Sequence, residues 1–161
     1  SMGKPIFAPD DVPVVVDMDS ESPVINYPVS ISDRNFEMSF VSMGNPHAVT
    51  FIDQPVLDFP LHSIGPVVEH PEMFPRRVNF EIVNITDENN LTARVWERGS
   101  GETLACGTGA CGIAVISRLL GHTSDSVNIT LPGGILTIDW DGIGEVFLEG
   151  PAEEVFSGDW D

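Results

Sequence analysis

The segment 96–112 reads WERGSGETLACGTGACG and holds the residue types best suited to chemistry. Its glycine-rich stretch leads to Cys106, and the run Cys106-Gly107-Thr108-Gly109 opens a predicted helix over 108–120. A thiol at a helix N-terminus faces free backbone N–H groups and the positive end of the helix dipole, both of which stabilise an anion. Because these features lower the pKa of a cysteine, the sequence predicts an available thiolate at Cys106 near neutral pH.

The two glycines after Cys106 suggest a ligand site. Gly107 and Gly109 lack a Cβ atom, so a ligand carboxylate can approach the amides of Gly107, Thr108 and Gly109 directly. The same spacing also fits a tight strand-to-helix turn in which Cys106 is a small, buried, inert residue. A phosphate loop is disfavoured because no lysine follows the glycines, and a zinc site because no second ligand pair accompanies Cys106 and Cys111.

Composition limits the function classes. The chain has 161 residues and a formal net charge of -18, from 25 acidic and 7 basic residues. This balance argues against nucleic acid and anionic membranes as partners, since both need clustered cations. The hydrophobic fraction of 42% is enough for the core of one domain. The sequence contains no apolar run of membrane-spanning length and no signal peptide, so we expect a protein of the reducing cytoplasm.

The elements that must position the 96–112 segment are mostly strands. Alternating or β-branched runs predict strands over 12–17, 24–31, 36–43, 48–52, 78–85, 91–96, 127–131, 135–140 and 145–148. Most connections are too short for parallel crossovers, which predicts mainly antiparallel pairing.

Two helices are predicted. One lies within 57–68, with an end that Gly65-Pro66 leaves open, and the other is 108–120, followed by Gly121 as a C-cap. The second helix is apolar on all sides and should be buried. The expected fold is therefore α+β: a mainly antiparallel β-barrel wrapped around one buried central helix.

Three ordered motifs resemble one known family. WERGSGETLACGTGAC, at 96–111, is similar to the signature of diaminopimelate epimerase. SMGNPHAV at 42–49 and FPRRVNFEIV at 74–83 fit the same family, and the opening MGKPIF and closing LEGPAEEVF resemble the edges of its C-terminal lobe. The resemblance covers essentially the whole chain.

The resemblance implies a two-lobe enzyme of which this chain, 1–161, is the C-terminal lobe as a single domain. In that family each lobe is a β-barrel around a central helix and supplies one cysteine to a cleft between the lobes. These enzymes interconvert LL- and meso-diaminopimelate without pyridoxal phosphate or metal, in lysine and peptidoglycan biosynthesis. The N-terminal lobe is the expected missing partner, so the chain alone should be inactive. A homodimer is a second arrangement that would cover the surface facing that lobe.

The resemblance also assigns roles to residues. Cys106 corresponds to the catalytic acid/base, His47 to a histidine that tunes the cysteines, and Arg98 to a clamp on the distal carboxylate, for which a planar guanidinium is suited. The residues implied in catalysis are Cys106, His47 and Glu97, and those implied in substrate binding are Asn45, Asn79, Glu97, Arg98, Gly107 and Thr108.

Taken alone, each of these residues has an ordinary structural interpretation. Asn45 can initiate a turn, His47 can be a hydrogen-bonded core residue, and Glu97-Arg98 can be a solvated ion pair. Asn79 fits a plain strand position, and His62, His70 and His122 are given structural roles. Cys111 lies about 140° around the helix from Cys106 and about 7.5 Å along it, so we expect it to pack in the core.

Two other functions stay open at this point. A proline racemase or another isomerase on the same fold would share a CGTG-type segment. A non-catalytic binding protein would be favoured if the gene encoded only this lobe.

Overall fold

A computed structural model describes residues 1–16, 22–69 and 72–160. These residues form one sheet of nine strands and two α-helices. The strands are β1 (Tyr27–Ile31), β2 (Arg34–Ser42), β3 (Pro46–Phe51), β4 (Asn79–Asp87), β5 (Asn90–Glu97), β6 (Gly101–Thr103), β7 (Ser126–Leu131), β8 (Gly134–Asp139) and β9 (Phe147–Glu149), and the helices are α1 (Leu61–Val68) and α2 (Gly107–Leu119).

The sheet is mixed but mainly antiparallel, as predicted. The strand order is β1-β2-β3-β4-β5-β7-β8-β9. Strand β6 pairs with the same edge of β5 as β7 does, but at the opposite end of that strand. Only β3–β4 and β5–β7 run parallel among the described pairings. The mixed sheet and two helices confirm the predicted α+β class. In the described part of the chain no backbone pairing joins β1 to β9, so hydrogen bonds do not close the sheet into the expected barrel.

Apolar side chains form two cores, on opposite faces of the central strands. In β2, Met38 and Phe40 point to one core, whereas Val41 belongs to the other. This follows from the pleat, because successive side chains of a strand point to opposite faces. One core surrounds α2, and the second lies under α1. The sequence predicted only the core around the buried helix.

Helix α2 is buried, as its all-round apolar sequence predicted. Every residue from Gly109 to Ser117 is shielded from solvent, and the helix contacts strands from both ends of the sheet order, including β2 and β9. Gly121 follows the helix at φ +75°, the left-handed conformation that lets the N–H groups of residues 121 and 122 bond back to the last turn. The predicted C-terminal cap is therefore confirmed.

Helix α1 continues through Gly65-Pro66 to Val68. Gly65 is required by a close contact: a Cβ there would lie 2.3 Å from the indole ring of Trp96 on β5. The glycine thus lets α1 sit directly against the strand that leads into the 98–100 turn.

Two local predictions were wrong. Residues 12–16 form no strand. The side chains of Val12 and Val14 are buried, while their backbone N–H groups donate to the carbonyls of Ala8 and Pro9 in a turn. Pro13 has no N–H group with which to form a strand hydrogen bond. The glycine-rich stretch contains β6, a short strand that the sequence did not predict. Asp17 and His70 lie outside the described residues. No described helix has the length and apolarity needed to cross a membrane.

Candidate active site

The three motifs converge at one end of the sheet. β3 and β4 begin side by side and run parallel, with His47 opposite Asn79. β5 runs antiparallel to β4, so it ends where β4 begins, and Glu97 is its last residue. The N-terminus of α2, which packs against β3 and β4, starts at the same end with Cys106 as its N-cap.

Cys106 occupies the cap position in extended geometry, with φ -132° and ψ 108°. Its sulfur accepts a hydrogen bond from the amide of Gly109 at 3.4 Å and lies 3.5 Å from the hydroxyl of Thr108. The Gly109 N–H, which the sequence suggested as a ligand-binding amide, thus already has a partner within the chain. The amides of Gly107 and Thr108 belong to the first helical turn, where no carbonyl lies four residues earlier in the helix.

A continuous hydrogen-bond chain leads from the sulfur into the core. Asn45 Nδ2 donates to Thr108 Oγ1 at 3.2 Å, and Asn45 Oδ1 lies 3.0 Å from His47 Nε2. The other imidazole nitrogen, Nδ1, lies 2.6 Å from Glu81 Oε1. The structure therefore links three predicted residues, Thr108, Asn45 and His47, in one series of hydrogen bonds behind Cys106.

Glu81 is the residue that sequence reasoning missed. It is fully buried on β4, and complete burial raises the pKa of its carboxyl, while His47 acts in the opposite direction. The sequence did carry a signal: Glu81 stands between Phe80 and Ile82 in an otherwise apolar run, VNFEIV. A carboxyl enclosed by apolar residues needs a specific partner, and a partner can only be sought once the neighbouring strand is known.

Glycines allow the helix to approach this chain closely. A Cβ at Gly109 would lie 3.2 Å from Glu81 Oε1 and 3.3 Å from Cys106 Sγ. A Cβ at Gly112 would lie 3.3 Å from His47 Cγ. All three distances are tighter than ordinary contact, so glycine is the residue that permits the approach.

The charge state predicted for Cys106 was wrong. Burial raises the pKa of the thiol above its ordinary value, and the nearby carboxyl groups of Glu81 and Glu97 act in the same direction. Hydrogen bonds from Thr108 and Gly109 lower it only in part. The helix N-terminus is present as predicted, but desolvation and acidic neighbours outweigh it, so the resting group at neutral pH is a thiol.

The remaining predicted residues form a second group beside the first. Arg98 N–H donates to Asn79 Oδ1 at 2.9 Å, which fixes the turn 98–100 to the start of β4. Glu97 Oε1 accepts a bond from Thr103 Oγ1 at 2.6 Å. The Arg98 guanidinium donates to the carbonyl of Arg76 at 3.1 Å, and no ion pair involves it within the described residues.

A buried glutamate supports the Arg98 turn from inside. Glu69, just after α1, accepts bonds from the Gly99 amide at 2.7 Å and from the Trp96 indole at 2.9 Å. Gly99 has φ +79°, a conformation that glycine adopts without strain. The turn is therefore held by backbone and side-chain bonds that leave the guanidinium at the surface of the site.

Cys111 lies in the core on the same helix, fully shielded from solvent. Burial, together with Cys106, raises the pKa of its thiol to about 12. No cluster of three or more His, Cys, Asp or Glu side chains suited to a metal ion occurs in the described ranges.

Comparison with known proteins agrees with this geometry at two levels. At the level of fold, the hydroxyproline epimerase from Agrobacterium vitis, solved with bound trans-4-OH-L-proline, matches 77% of this chain and 44% of its own length. The TM-score is 0.55 and the sequence identity 12%, so this likeness concerns the fold alone.

At the level of sequence, residues 39–155 match the family described as diaminopimelate epimerase, and the chain belongs to that family. Diaminopimelate epimerase from Leptospira biflexa is 50% identical over 158 residues, which cover 98% of this chain and 55% of the relative. The Carboxydothermus hydrogenoformans enzyme is 45% identical over 159 residues, which cover 99% of this chain and 56% of the relative. The chain thus spans about half the length of the curated relatives it matches.

Proposed function

We propose that this chain is the C-terminal lobe of a diaminopimelate epimerase and supplies one of two thiols that invert the substrate α-carbon. The observation that carries the proposal is the position of Cys106: a sulfur at the N-terminus of a buried helix, held by Thr108 and Gly109. The relatives that match nearly all of the chain bear the name of this enzyme. The enzyme acts in lysine and peptidoglycan biosynthesis, and we extend that assignment to the complete protein.

The proposed reaction needs one thiolate and one thiol on opposite faces of the α-carbon. One sulfur removes the α-proton while the other delivers a proton from the far side. The raised pKa of Cys106 means that the free lobe holds it protonated, ready for the delivering role. For the removing role, its proton must leave when substrate binds and water is excluded. Cys111 is buried in the core and does not supply the second face, so we assign that face to a cysteine of the missing lobe.

The reacting carboxylate is proposed to bind at the amides of Gly107 and Thr108. These N–H groups point out of the first helical turn, where the helix dipole favours a negative charge. Fixed donors at this place stabilise the charge that develops when the α-proton leaves, and they do so without a cofactor.

We propose that the lobe itself forms a barrel-like wrap around α2, which is supported by the contacts of α2 with β2 and β9.

The distal end of the substrate is proposed to lie against the second group of residues. Arg98 offers a guanidinium without an ion-pair partner in the described part of the chain, which suits a carboxylate. Asn79 Nδ2 is buried without a partner there, and a substrate oxygen would satisfy it. Asn45 has a second N–H beyond the one given to Thr108. Glu97 completes the set as a contact to the substrate ammonium.

Replacement of Arg98 by lysine tests the proposal. A single ammonium cannot reproduce a two-donor grip on a carboxylate, so we expect kcat/KM of the complete enzyme to fall by roughly ten-fold or more, mainly through KM. The conservative change Arg76→Lys is the matched control, because Arg76 contributes a backbone carbonyl to this contact. A loss of less than a few-fold in Arg98→Lys would show that Arg98 is not the distal clamp.

A further inference from the structure

None of the substrate contacts or proton transfers proposed above involves the Glu81–His47 pair, although it is the most completely enclosed polar pair of the site. Both side chains have zero exposure, and Glu81 Oε1 lies 2.6 Å from His47 Nδ1. Burying an acid and a base together is unfavourable unless they are matched to each other. A pair kept under those conditions, one hydrogen-bond chain away from a catalytic sulfur, points to a specific role.

The orientation of the Asn45 amide sets the direction of the hydrogen-bond chain. Asn45 Nδ2 is a donor, so Thr108 Oγ1 accepts from it and has its own proton left to donate to Cys106 Sγ. Asn45 Oδ1 is an acceptor, so His47 Nε2 must carry a proton. In this arrangement every donor points toward the sulfur, which favours the thiolate over the thiol.

The hydrogen bonds of this chain would run in the opposite direction if the proton of the His47 imidazole moved from Nε2 to Nδ1. If the proton sat only on Nδ1, then Nε2 would need a donor and the Asn45 amide would turn over. Thr108 would then donate to Asn45 and leave its oxygen to accept from the thiol. The direction of the whole chain therefore depends on what Nδ1 of His47 meets, and it meets Glu81.

Glu81 fits the first arrangement. The raised pKa of its carboxyl keeps a proton on it at higher pH than usual, and a protonated carboxyl donates to Nδ1. A carboxylate facing a doubly protonated imidazole leaves the proton on Nε2 in the same way. The other charged group near both Cys106 and Glu81 is Glu97, whose charge raises the pKa of both groups and so opposes the thiolate in either arrangement; the further titratable neighbour of Cys106 is Cys111.

We propose that Glu81 is a positioning residue: by bonding Nδ1 of His47 it keeps a proton on Nε2, and so turns every donor of the chain toward the sulfur of Cys106. Glu81 does not touch the substrate; it acts through His47, Asn45 and Thr108. The inference deepens the proposed function and rests on Cys106 being the acid/base of this lobe. The chain of bonds lets the lobe lower the barrier to forming a thiolate in a site where burial opposes it.

Two variants of Glu81 separate this role from its charge. In Glu81→Gln the side-chain amide can still donate to Nδ1, whereas Glu81→Met has similar bulk and no donor. The readout is the pH dependence of Cys106 alkylation by iodoacetamide in the 161-residue chain, mapped by mass spectrometry. We expect Glu81→Gln to stay within about two-fold of the parent and Glu81→Met to react about ten-fold more slowly near pH 8, as for a one-unit rise in thiol pKa.

Other outcomes would overturn the proposal. If Glu81 acted only through its negative charge, both variants would alkylate faster than the parent, because that charge opposes thiolate formation. If Glu81 had only a structural role, both variants would melt at a lower temperature than the parent, and the pH dependence of Cys106 alkylation would be unchanged. Should Glu81→Met fail to fold, Thr108→Val against Thr108→Ser repeats the comparison at the half-buried end of the hydrogen-bond chain, next to Cys106.

The tautomer of His47 can be observed directly. In protein labelled with ¹⁵N-histidine, we expect the NMR shifts of the parent and of Glu81→Gln to report a proton on Nε2. A proton on Nδ1 alone would contradict the proposal whatever the alkylation rates. Neither measurement uses diaminopimelate, so a failure here leaves the proposed epimerase function standing, and a failure of that function leaves these results readable.

Discussion

Cys106 and Cys111 stand five residues apart at the start of one helix, and both are shielded from solvent. Cys106 caps the helix and has polar partners, the Gly109 amide and the Thr108 hydroxyl. Cys111 is completely buried in the apolar core around α2. Burial raises the pKa of both thiols, that of Cys111 to about 12.

The comparison teaches that burial alone does not separate the thiol that we propose as reactive from the thiol that we propose as inert. What differs is the set of groups that can respond when the sulfur changes charge. Around Cys106 these groups are dipoles of the helix start and a hydrogen-bond chain ending at Glu81. The core around Cys111 is apolar and cannot stabilise a negative charge, so the thiolate is unfavourable there.

Removing each sulfur gives the largest expected contrast. In the complete enzyme, Cys106→Ala should lower kcat by roughly 10²–10⁴-fold, the range that a positioned acid/base contributes. Cys111→Ala, the matched control on the same helix, should keep kcat within about two-fold. Steady-state epimerisation of LL-diaminopimelate measures both. Comparable losses in the two variants would end the distinction between the cysteines.

Alkylation across pH gives the next contrast. Since the pKa of Cys106 is raised, its thiolate grows only as pH rises, and its reaction with iodoacetamide should still be accelerating above pH 8.5. Cys111, with a pKa of about 12, should have about one thiolate in a thousand molecules at pH 9 and stay unlabelled. If the alkylation rate of Cys106 were already constant from pH 7 upward, Cys106 would be a thiolate at neutral pH, as its helix position alone predicts.

Two glycine replacements give the smallest contrast. Gly109→Ala puts a methyl group 3.3 Å from Cys106 Sγ, and overpacking of this kind costs about 1–3 kcal/mol, of which helix propensity returns about 1 kcal/mol. Gly107→Ala meets Leu148 at 3.4 Å, an ordinary contact, and should leave stability unchanged or slightly raised. Urea denaturation of both variants measures the difference. Equal stabilities would show that α2 has room at Gly109.

The sequence was sufficient for features that depend on local patterns. Helix α2 and its glycine cap, all strands except β6 to within about three residues of their observed bounds, and the mainly antiparallel pairing follow from periodicity and turn residues. β6 was missed because three residues are too few for a pattern. The run 12–16 was misjudged because β-branched residues also serve buried turns, and Pro13 interrupts any ladder.

The candidate site was predictable only in part, for a physical reason. Residues such as Asn45, His47 and Thr108 were singled out by motif, and the fold brings them into one hydrogen-bonded group. The partnership of His47 with Glu81 depends on the parallel pairing of β3 and β4, which no local pattern encodes. The raised pKa of Cys106 likewise depends on burial by distant segments, which here outweighs the local effect of the helix start.

The central claim, that this chain holds one of two required thiols, is tested most directly by α-proton exchange in deuterated water, followed by NMR on LL- and meso-diaminopimelate. The purified 161-residue chain should melt cooperatively by circular dichroism and show no exchange or epimerisation. The same chain, fused to the part of the Leptospira biflexa relative that it does not cover, should epimerise both isomers, and Cys106→Ala in that fusion should lower turnover by roughly 10²–10⁴-fold. Sustained epimerisation by the chain alone, free of host enzyme, would contradict the two-lobe, two-thiol account.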